Sequence, residues 1–305
     1  MIIEILSHYS DNIKTLTKHL QHNNIHFIKT TSNKGLTNFQ IGADDFISAL
    51  KFILKNKIRY DCKNKYGIIK LFLKEKRFDD LTFMLQKKII DAYIFENFTL
   101  KIFSKYDLET INYILGLDIK INMEIALRVV CWREDDNIDI VRIIWEQIMH
   151  CNNKKFSHYF LLKQPLLNAA EKGNYDIVRF LVDCKPNKCI LNEAADLALE
   201  HNHIDTVEYL VEHGATLGLD DDIFIKLVSK EESMTSMIDF LTKYKLISDE
   251  DLGRGFVAAC KTGSLETVIS LVEAGVNLKM YISKALHVSR SRPHIVEYLK
   301  SLDDF

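Results

Sequence analysis

One segment of this chain returns several times at a nearly fixed interval. Residues 201–217 read HNHIDTVEYLVEHGATL, and related segments read TGSLETVISLVEAGVNL downstream and KGNYDIVRFLVDCKPN upstream. Val207, Val268 and Val178 occupy the same place in the three copies, and we call this place the anchor position. Such a repeat predicts a stack of similar units, because one unit of this length cannot bury its apolar face alone.

The anchor position can be followed from residue 50 nearly to the end of the chain. Successive anchors are separated by 31, 30, 30, 37, 29, 31, 30 and 28 residues. The long interval adds about seven residues, which we place in the polar stretch 150–163, as a surface loop or as an insertion on a binding face. The anchors are Leu50, Leu81, Ile111, Val141, Val178, Val207, Ile238, Val268 and Val296.

Each copy has the pattern of two helices. Residues 204–211, IDTVEYLV, place their apolar side chains on one face at helical spacing. Gly214 is expected to end this helix, and Gly275 its counterpart. The helix before it is shorter and rich in small residues, as in LLNAAEK and GFVAACK. Gly173 and Gly263 are expected to make the turn between the two helices.

Residues 164–182, QPLLNAAEKGNYDIVRFLV, resemble the ankyrin repeat, with its Pro-Leu opening, Ala-Ala pair, Gly turn and Val-x-x-Leu-Leu helix. VEHGATL and VEAGVNL are similar to the Gly-Ala-Asp-x-Asn exit of that family. The resemblance is strongest over 164–280, recognisable over 105–149 and 281–300, and inferred from spacing over 45–100. A tetratricopeptide array is the main alternative, but its period of about 34 and its Trp…Leu-Gly…Tyr signature do not match.

The sequence departs from the ankyrin pattern in two ways. The Thr-Pro-Leu-His opening is never complete, and residues 164–167 (QPLL) are its nearest match. The period is shorter than the usual value of about 33, so we expect the hairpins between repeats to be trimmed to loops. With 31 Lys against 9 Arg and abundant Ile and Asn, this divergent style is similar to ankyrin proteins encoded in large families by giant DNA viruses.

The first 44 residues do not follow the period. MIIEILSHY has the pattern of a buried strand, SDNIKTLTKHLQHNN that of a capped helix, and IHFIKTTSNKGLTNFQIG that of a hairpin with its turn at SNKG. We therefore predict an all-α solenoid of stacked helix pairs, built from divergent ankyrin repeats, with a small N-terminal β-α-β-β cap. Residues 1–44 form the α+β capping module, for which a separate recognition unit is the alternative. Residues 45–305 form the ankyrin-like array of about nine helix pairs.

Charge and cysteine usage restrict the location and the partners. The net charge is −2, but residues 51–105 carry 14 Lys/Arg against 6 Asp/Glu, and residues 106–305 carry 22 against 32. The six cysteines are scattered without a Cys-x-x-Cys pair, the N-terminus lacks the pattern of a signal peptide, and no apolar run is long enough to cross a membrane. These features predict an intracellular, cytoplasmic protein, in the host cell if it is viral, without a membrane partner.

No catalytic arrangement stands out. The phosphate-binding glycine motifs and the Gly-x-Ser-x-Gly motif are missing from the sequence. The histidines near residues 19–26 and 201–213 are not expected to converge on a metal. A hydrolase or transferase in the N-terminal module would need an acid, a base or a nucleophile that the sequence does not reveal there. We therefore predict no enzymatic activity, no cofactor and no metal. Trp132 and Trp145 are interpreted as core or interface anchors.

The resemblance implies a scaffold that presents a concave repeat surface to an unidentified protein partner and acts as a monomer. Polar positions at the ends of the first helices vary between copies, as binding to a non-repetitive ligand requires. The alternative is binding of phosphate or nucleic acid by the basic segment 51–105, through Lys63, Lys65 and Lys70, although the acidic remainder of the chain disfavours a long polyanion. The candidate partner-binding residues are Asn168, Glu171, Lys172, Glu200, His201, Lys261 and Thr262.

Overall fold

A computed structural model describes residues 1–5, 10–31, 36–58, 60–117, 119–151, 158–218 and 221–303. The chain divides into two compact units, Met1–Ile121 (unit 1) and Asn122–Phe305 (unit 2). Unit 1 combines a small antiparallel sheet with helices. In the described residues of unit 2, all regular secondary structure is helical, so the connections between its repeats contain no hairpin strands there.

The sheet of unit 1 has four strands in the order β2-β3-β1-β4. They are β1 (Ile2–Ile5), β2 (Phe27–Thr31), β3 (Thr37–Ile41) and β4 (Tyr60–Lys63). Every neighbouring pair is antiparallel. The predicted first strand and the predicted hairpin are confirmed, with Phe27 opposite Ile41. The predicted SNKG turn lies outside the described residues.

Strand β4 was not predicted, and it lies in the stretch assigned to the repeat array. It pairs with the free side of β1, and Cys62 stands opposite Ile3. Its four residues, YDCK, contain one buried side chain between two exposed charged ones. Such a short segment has no recognisable alternation, so only the neighbouring strand identifies it as part of a sheet. The boundary after residue 44 therefore stays a prediction.

The sheet shares its core with helices α1 (Ser10–His22) and α2 (Ala43–Lys55). Buried positions on β3 alternate with more exposed ones, as expected for a sheet covered on one face, whereas Ile3, Glu4 and Ile5 on the central strand β1 are all buried. Leu50, the first anchor, lies in α2, which packs against α1 and joins this N-terminal core. The assignment of α2 to the first repeat therefore stays a prediction. The fully buried core side chains include Ile3, Ile5, Leu16, Phe39, Phe46 and Leu50.

Four more helices complete unit 1. They are α3 (Lys65–Lys74), α4 (Phe78–Gln86), α5 (Ala92–Lys105) and α6 (Leu108–Leu115). The anchors Leu81 in α4 and Ile111 in α6 are fully buried, which confirms the predicted register there.

Unit 2 consists of helix pairs in which first helices pack on first helices and second helices on second. The first helices contact one another as α7–α9–α11 and α13–α15–α17, and the second helices as α8–α10–α12–α14–α16–α18. Small side chains such as Ala169, Ala195 and Ala198 are fully buried and let the first helices approach closely. The predicted all-α stack of helix pairs is thereby confirmed. The helices are α7 (Met123–Val130), α8 (Ile138–Cys151), α9 (His158–Lys172), α10 (Tyr175–Asp183), α11 (Lys188–Glu200), α12 (Ile204–Glu212), α13 (Asp221–Val228), α14 (Thr235–Lys243), α15 (Asp249–Thr262), α16 (Leu265–Glu273), α17 (Leu278–Val288) and α18 (Pro293–Asp303).

The anchors of unit 2 occupy equivalent buried sites in the second helices. Val178, Val207 and Val268 are fully buried, as predicted. Val296 is only partly buried, because no helix pair beyond α18 covers it in the described part of the chain.

The insertion was partly misplaced. Residues 158–163, predicted as loop, belong to α9, which places Pro165 inside a helix and not at its start. Helix α8 continues to Cys151, and the Asn152–Asn153 turn signal lies outside the described residues. Among the described side chains of this stretch, Leu161 and Leu162 are buried and Lys163 is partly exposed, as expected for a helix with one face toward water.

The predicted helix ends are confirmed at two glycines. Gly214 and Gly275 both have φ of 95°, the left-handed conformation that favours glycine after a helix. Gly173 also has positive φ, at 69°, but Gly263 does not, at −75°. At Gly263 the constraint is space, because an added Cβ would lie 2.5 Å from the carbonyl oxygen of Val228.

Candidate partner-binding ridge

The first helices of unit 2 end in two polar positions that recur from repeat to repeat. The first position lies seven residues before the anchor in the copies with a short turn, and nine before it where the turn is two residues longer. We call the ten residues at these positions in the first five copies of unit 2 the ridge. Six of them were predicted, whereas the copies ending α7 and α13 were missed. The ridge comprises Trp132 and Arg133, Glu171 and Lys172, Glu200 and His201, Ser229 and Lys230, and Lys261 and Thr262.

Trp132 is the large apolar residue of the ridge. Its side chain is 45% exposed, at the end of α7. The Lys172 ammonium lies 4.9 Å from the centre of the indole ring and 3.9 Å from a carboxylate oxygen of Glu134. The cation and the ring attract each other, so Lys172 helps to hold the indole at the surface. The sequence signal for Trp132 was its position nine residues before Val141.

The next repeat brings Glu171 and His201 together. Nε2 of His201 lies 3.9 Å from a carboxylate oxygen of Glu171. The neighbouring His203 places its Nε2 3.0 Å from the backbone oxygen of Glu171. Because a carbonyl oxygen only accepts, Nε2 of His203 donates in this bond. Burial lowers the pKa of His203, and the nearby His201 and Lys172 lower it further.

In the fourth copy of the ridge, Lys230 contacts the preceding repeat. Nζ of Lys230 donates to the backbone oxygen of Glu200 at 2.6 Å, so its ammonium joins two repeats. Lys261 and Thr262 are exposed at the end of α15, and the Thr262 hydroxyl donates to the backbone oxygen of Ala258 at 3.4 Å. The ridge thus offers carboxylate, imidazole, ammonium, hydroxyl and indole groups.

Asn168 does not lie on this surface. It is only 8% exposed. Its amide donates to the backbone oxygen of Arg128 at 2.8 Å and accepts from Nε2 of Gln164 at 2.7 Å. The bond to Arg128 joins α9 to α7, and both bonds satisfy an amide that is buried. The expectation that Asn168 faces a partner is therefore corrected: the sequence showed a polar residue but not its burial.

The basic residues of the alternative hypothesis are dispersed in unit 1. The Lys63 ammonium lies 2.8 Å from Asp61 and 3.1 Å from Glu4, two carboxylates that balance its charge and raise its pKa. Lys65 is partly buried at the start of α3, and Lys70 is exposed. Of these three lysines, Lys63 is engaged within the protein.

Other cations of the basic segment 51–105 are also paired with carboxylates. The Lys76 ammonium lies 2.8 Å from Asp107, and it also contacts Glu109, so that the pKa of Lys76 rises to about 12. Arg77 pairs with Asp80 at 2.7 Å. The aromatic residues of the segment are divided, since Phe72 is fully buried and Tyr66 is half exposed. The net charge of this segment therefore overstates the cations that a polyanion would meet.

Within the described residues, no group of three or more His, Cys, Asp or Glu side chains is arranged to hold a metal ion. None of the helices in the described parts of the chain combines the length and the apolar character that crossing a membrane requires.

Similarity to known proteins covers part of the chain. No curated protein matches the sequence. One solved structure with a similar chain is described as "Bd0816 Predatory Endopeptidase from Bdellovibrio bacteriovorus in complex with immunity protein Bd3460". The similarity has 21% identity and a TM-score of 0.40, and it covers 57% of this chain and 96% of that chain. A family model described as "Ankyrin repeats (3 copies)" matches residues 100–221. This segment, which includes the first part of the ridge, is therefore built from ankyrin repeats.

Proposed function

We propose that unit 2 binds a partner protein through the ridge and performs no catalysis. The observation that carries this proposal is the exposed Trp132 with Lys172 beside its ring. Tryptophan is among the residues that most often dominate the energy of a protein interface, because its large ring loses much water-exposed area on binding. Ankyrin repeats are interaction modules. Trp132 and Lys172 lie within residues 100–221, the segment that matches the ankyrin family model.

The variation between repeats supports the same proposal. The anchor positions are aliphatic in every copy, whereas the ridge positions change from indole to carboxylate to ammonium. Such a surface can discriminate between partners, because each repeat offers different chemistry to a different part of the ligand. The proposal includes an intracellular location, since the described cysteines Cys62, Cys131, Cys184, Cys189 and Cys260 are free thiols.

Site-directed crosslinking tests the proposal in the full chain. A photoreactive amino acid is placed at Trp132 or His201, and at Met280 as a control, because Met280 is 69% exposed on α17 away from the ridge. We expect one discrete adduct from both ridge positions in the native cell and none from Met280. Equal adducts at all three positions would contradict a specific ridge.

The adduct identifies the partner, and its affinity for variants then measures the ridge. Trp132→Ala should weaken binding by about tenfold or more, because it removes the largest apolar contact. The combined variant of Glu171, Lys172 and His201 to alanine should weaken it further. Met280→Ala is the matched control and should bind as the unchanged protein does.

The nucleic-acid alternative is tested separately. Labelled single- and double-stranded oligonucleotides are titrated at low and at physiological salt, because binding to phosphates weakens steeply as salt rises. We expect no binding tighter than about 10 μM at physiological salt. Charge reversal at Lys63, Lys65 and Lys70 should leave partner binding intact. Tight binding that this reversal abolishes would transfer the function to the basic segment.

A further inference from the structure

A groove lies on the second helices of unit 2, and none of the residues that line it belongs to the ridge. It has a volume of about 430 Å³ and runs along α10 and α12. An adjoining hollow of about 280 Å³ shares Tyr175 and Asp205 with it and extends to Asn202 and His203 at the turn before α12. We call the two cavities together the α10–α12 groove. The main cavity is lined by Tyr175, Asp205, Glu208, Tyr209 and Glu212.

The acidic side of the groove comes from one helix face. Asp205, Glu208 and Glu212 follow one another at spacings of three and four residues in α12, which places them on one side of the helix. Asp205 and Glu212 are exposed, and neither has an ion-pair partner within the described parts of the chain. Two carboxylates are therefore available to an incoming cation.

The third carboxylate already binds a cation of the protein itself. Glu208 accepts from Nζ of Lys243 at 2.7 Å and from the Tyr244 hydroxyl at 2.8 Å. The Lys243 ammonium also lies 4.9 Å from the centre of the Tyr244 ring. An ammonium held between a carboxylate and a tyrosine ring shows which kind of group suits this surface.

The aromatic side of the groove is formed by two tyrosines from adjacent repeats. The Tyr175 and Tyr209 rings meet edge to face, with centres 5.7 Å apart. The Arg179 guanidinium lies 5.7 Å from the centre of the Tyr175 ring and 3.6 Å from a carboxylate oxygen of Asp176. The Arg179 guanidinium, like the Lys243 ammonium, therefore lies near both a tyrosine ring and a carboxylate.

The hollow next to the groove contains an unsatisfied acceptor. The side-chain oxygen of Asn202 is buried and has no hydrogen-bond donor among the described residues. Buried polar atoms are nearly always paired, so this oxygen is a place where a donor from a ligand would be stabilised. Carboxylates, a buried amide oxygen and ring faces together favour a ligand that carries both positive charge and several N–H donors.

We propose that the α10–α12 groove binds an arginine side chain in an extended segment of a partner protein. A guanidinium carries five N–H donors and a planar face, so it can bond to Asp205 or to Glu212 while it stacks against a tyrosine ring. A lysine ammonium has three donors and no planar face, so it is the weaker ligand. The groove shares no residue with the ridge, although its hollow adjoins the ridge at Gly173 and Asn202.

The test uses the full chain and a short labelled peptide of alternating arginine and glycine. The same peptide with citrulline in place of arginine keeps the shape and loses the charge. We expect the arginine peptide to bind with a dissociation constant below about 1 mM at moderate salt, and the citrulline peptide to bind about tenfold more weakly. No binding by the arginine peptide, or equal binding by both peptides, would overturn the proposal.

Matched variants locate the binding. Asp205→Asn with Glu212→Gln should weaken the arginine peptide about fivefold or more, while Glu231→Gln with Glu232→Gln removes the same charge from exposed positions outside the groove and should change it less than about twofold. Equal loss in both double variants would indicate unspecific attraction and overturn the proposal. Tyr175→Leu should weaken binding and Tyr175→Phe should preserve it, because the ring face is what stacks.

The same peptides and variants distinguish two alternative ligands of the groove, a small cation and a second copy of this chain. If tetramethylammonium competes with the arginine peptide at equal concentration, the groove is a site for small cations and the proposal fails. If the groove variants change the oligomeric state measured by light scattering, the occupant is a second copy of this chain and the proposal also fails. Trp132→Ala should leave arginine-peptide binding unchanged, so the ridge and the groove can fail independently.

Discussion

Both units have ion pairs at the surface between neighbouring helices, but unit 2 adds buried side chains that donate to backbone carbonyls of the preceding repeat. In unit 1, charged groups pair at the surface, as Lys76 does with Asp107 at 2.8 Å, with both side chains about half exposed. In unit 2, buried or half-buried groups donate to backbone carbonyls of the preceding repeat. Asn174 is 2% exposed and donates to the backbone oxygen of Arg133 at 2.8 Å.

This difference indicates where the register of the repeats is specified. Exposed ion pairs contribute little to stability, because water and salt screen them and two long side chains must be ordered. A buried donor aimed at one carbonyl is costly to misplace, because both groups lose water without gaining a partner. Unit 2 therefore uses a few side chains to set the position of one repeat on the next. Unit 1 depends on its sheet and its apolar core.

The largest expected effect tests the feature that both units share, the buried anchor. Val207→Asp and Leu81→Asp should each lower stability by several kcal/mol, about 3 or more, because they place an unpaired charge in an apolar stack. Thermal unfolding followed by circular dichroism measures the effect. Val296→Asp is the matched control and should be milder, since Val296 is only partly buried. A wild-type melting temperature in Val207→Asp would show that the anchor register is wrong.

An intermediate effect separates the two units directly. Asn174→Ala should lower the free energy of unfolding by about 1–3 kcal/mol, because it removes the donor to the buried carbonyl of Cys131 and the partly buried carbonyl of Arg133. Lys76→Ala should leave the urea midpoint within experimental error, because the group it removes is exposed to solvent. If the two variants were equally destabilised, the contrast between buried hydrogen bonds and exposed ion pairs would be lost.

The smallest expected effect concerns the ends of helices. Lys57, after α2, has φ of 52°, whereas Gly214, after α12, has φ of 95°. Lys57→Gly should raise stability by about 0.5 kcal/mol, because it relieves the crowded Cβ but adds freedom to the unfolded chain. Gly214→Lys should lower it by about 1 kcal/mol or more, because the strain is added. Urea unfolding of both variants measures the pair, and opposite signs are the expected result.

Much of the fold followed from local patterns. The anchors, the glycines after α12 and α16, and the N-terminal hairpin all lie where the sequence predicted them. The failures arose where partners are distant in the chain. Strand β4 is identified only by its pairing with β1, and α9 extends through a stretch whose polar residues resembled a loop.

The ridge shows the same difference between what local patterns predict and what depends on partners distant in the chain. Glu171, Lys172 and His201 were found because they precede a recognisable turn at a constant distance from the anchor. Trp132 was missed as a ridge residue because its turn is two residues longer, and Asn168 was included although it is buried. A sequence position shows that a side chain is polar, but burial depends on the repeat that covers it.

The sequence by itself determined the period, the apolar face of each helix and the residues that end it. These properties follow from interactions within a few turns of one helix, so they can be read from spacing alone. Only the tertiary structure decided that Trp132 is exposed, that Asn168 is buried and that Tyr175 meets Tyr209. Each of these depends on how one repeat packs on the next, since side chains about 30 residues apart become neighbours only in the stack.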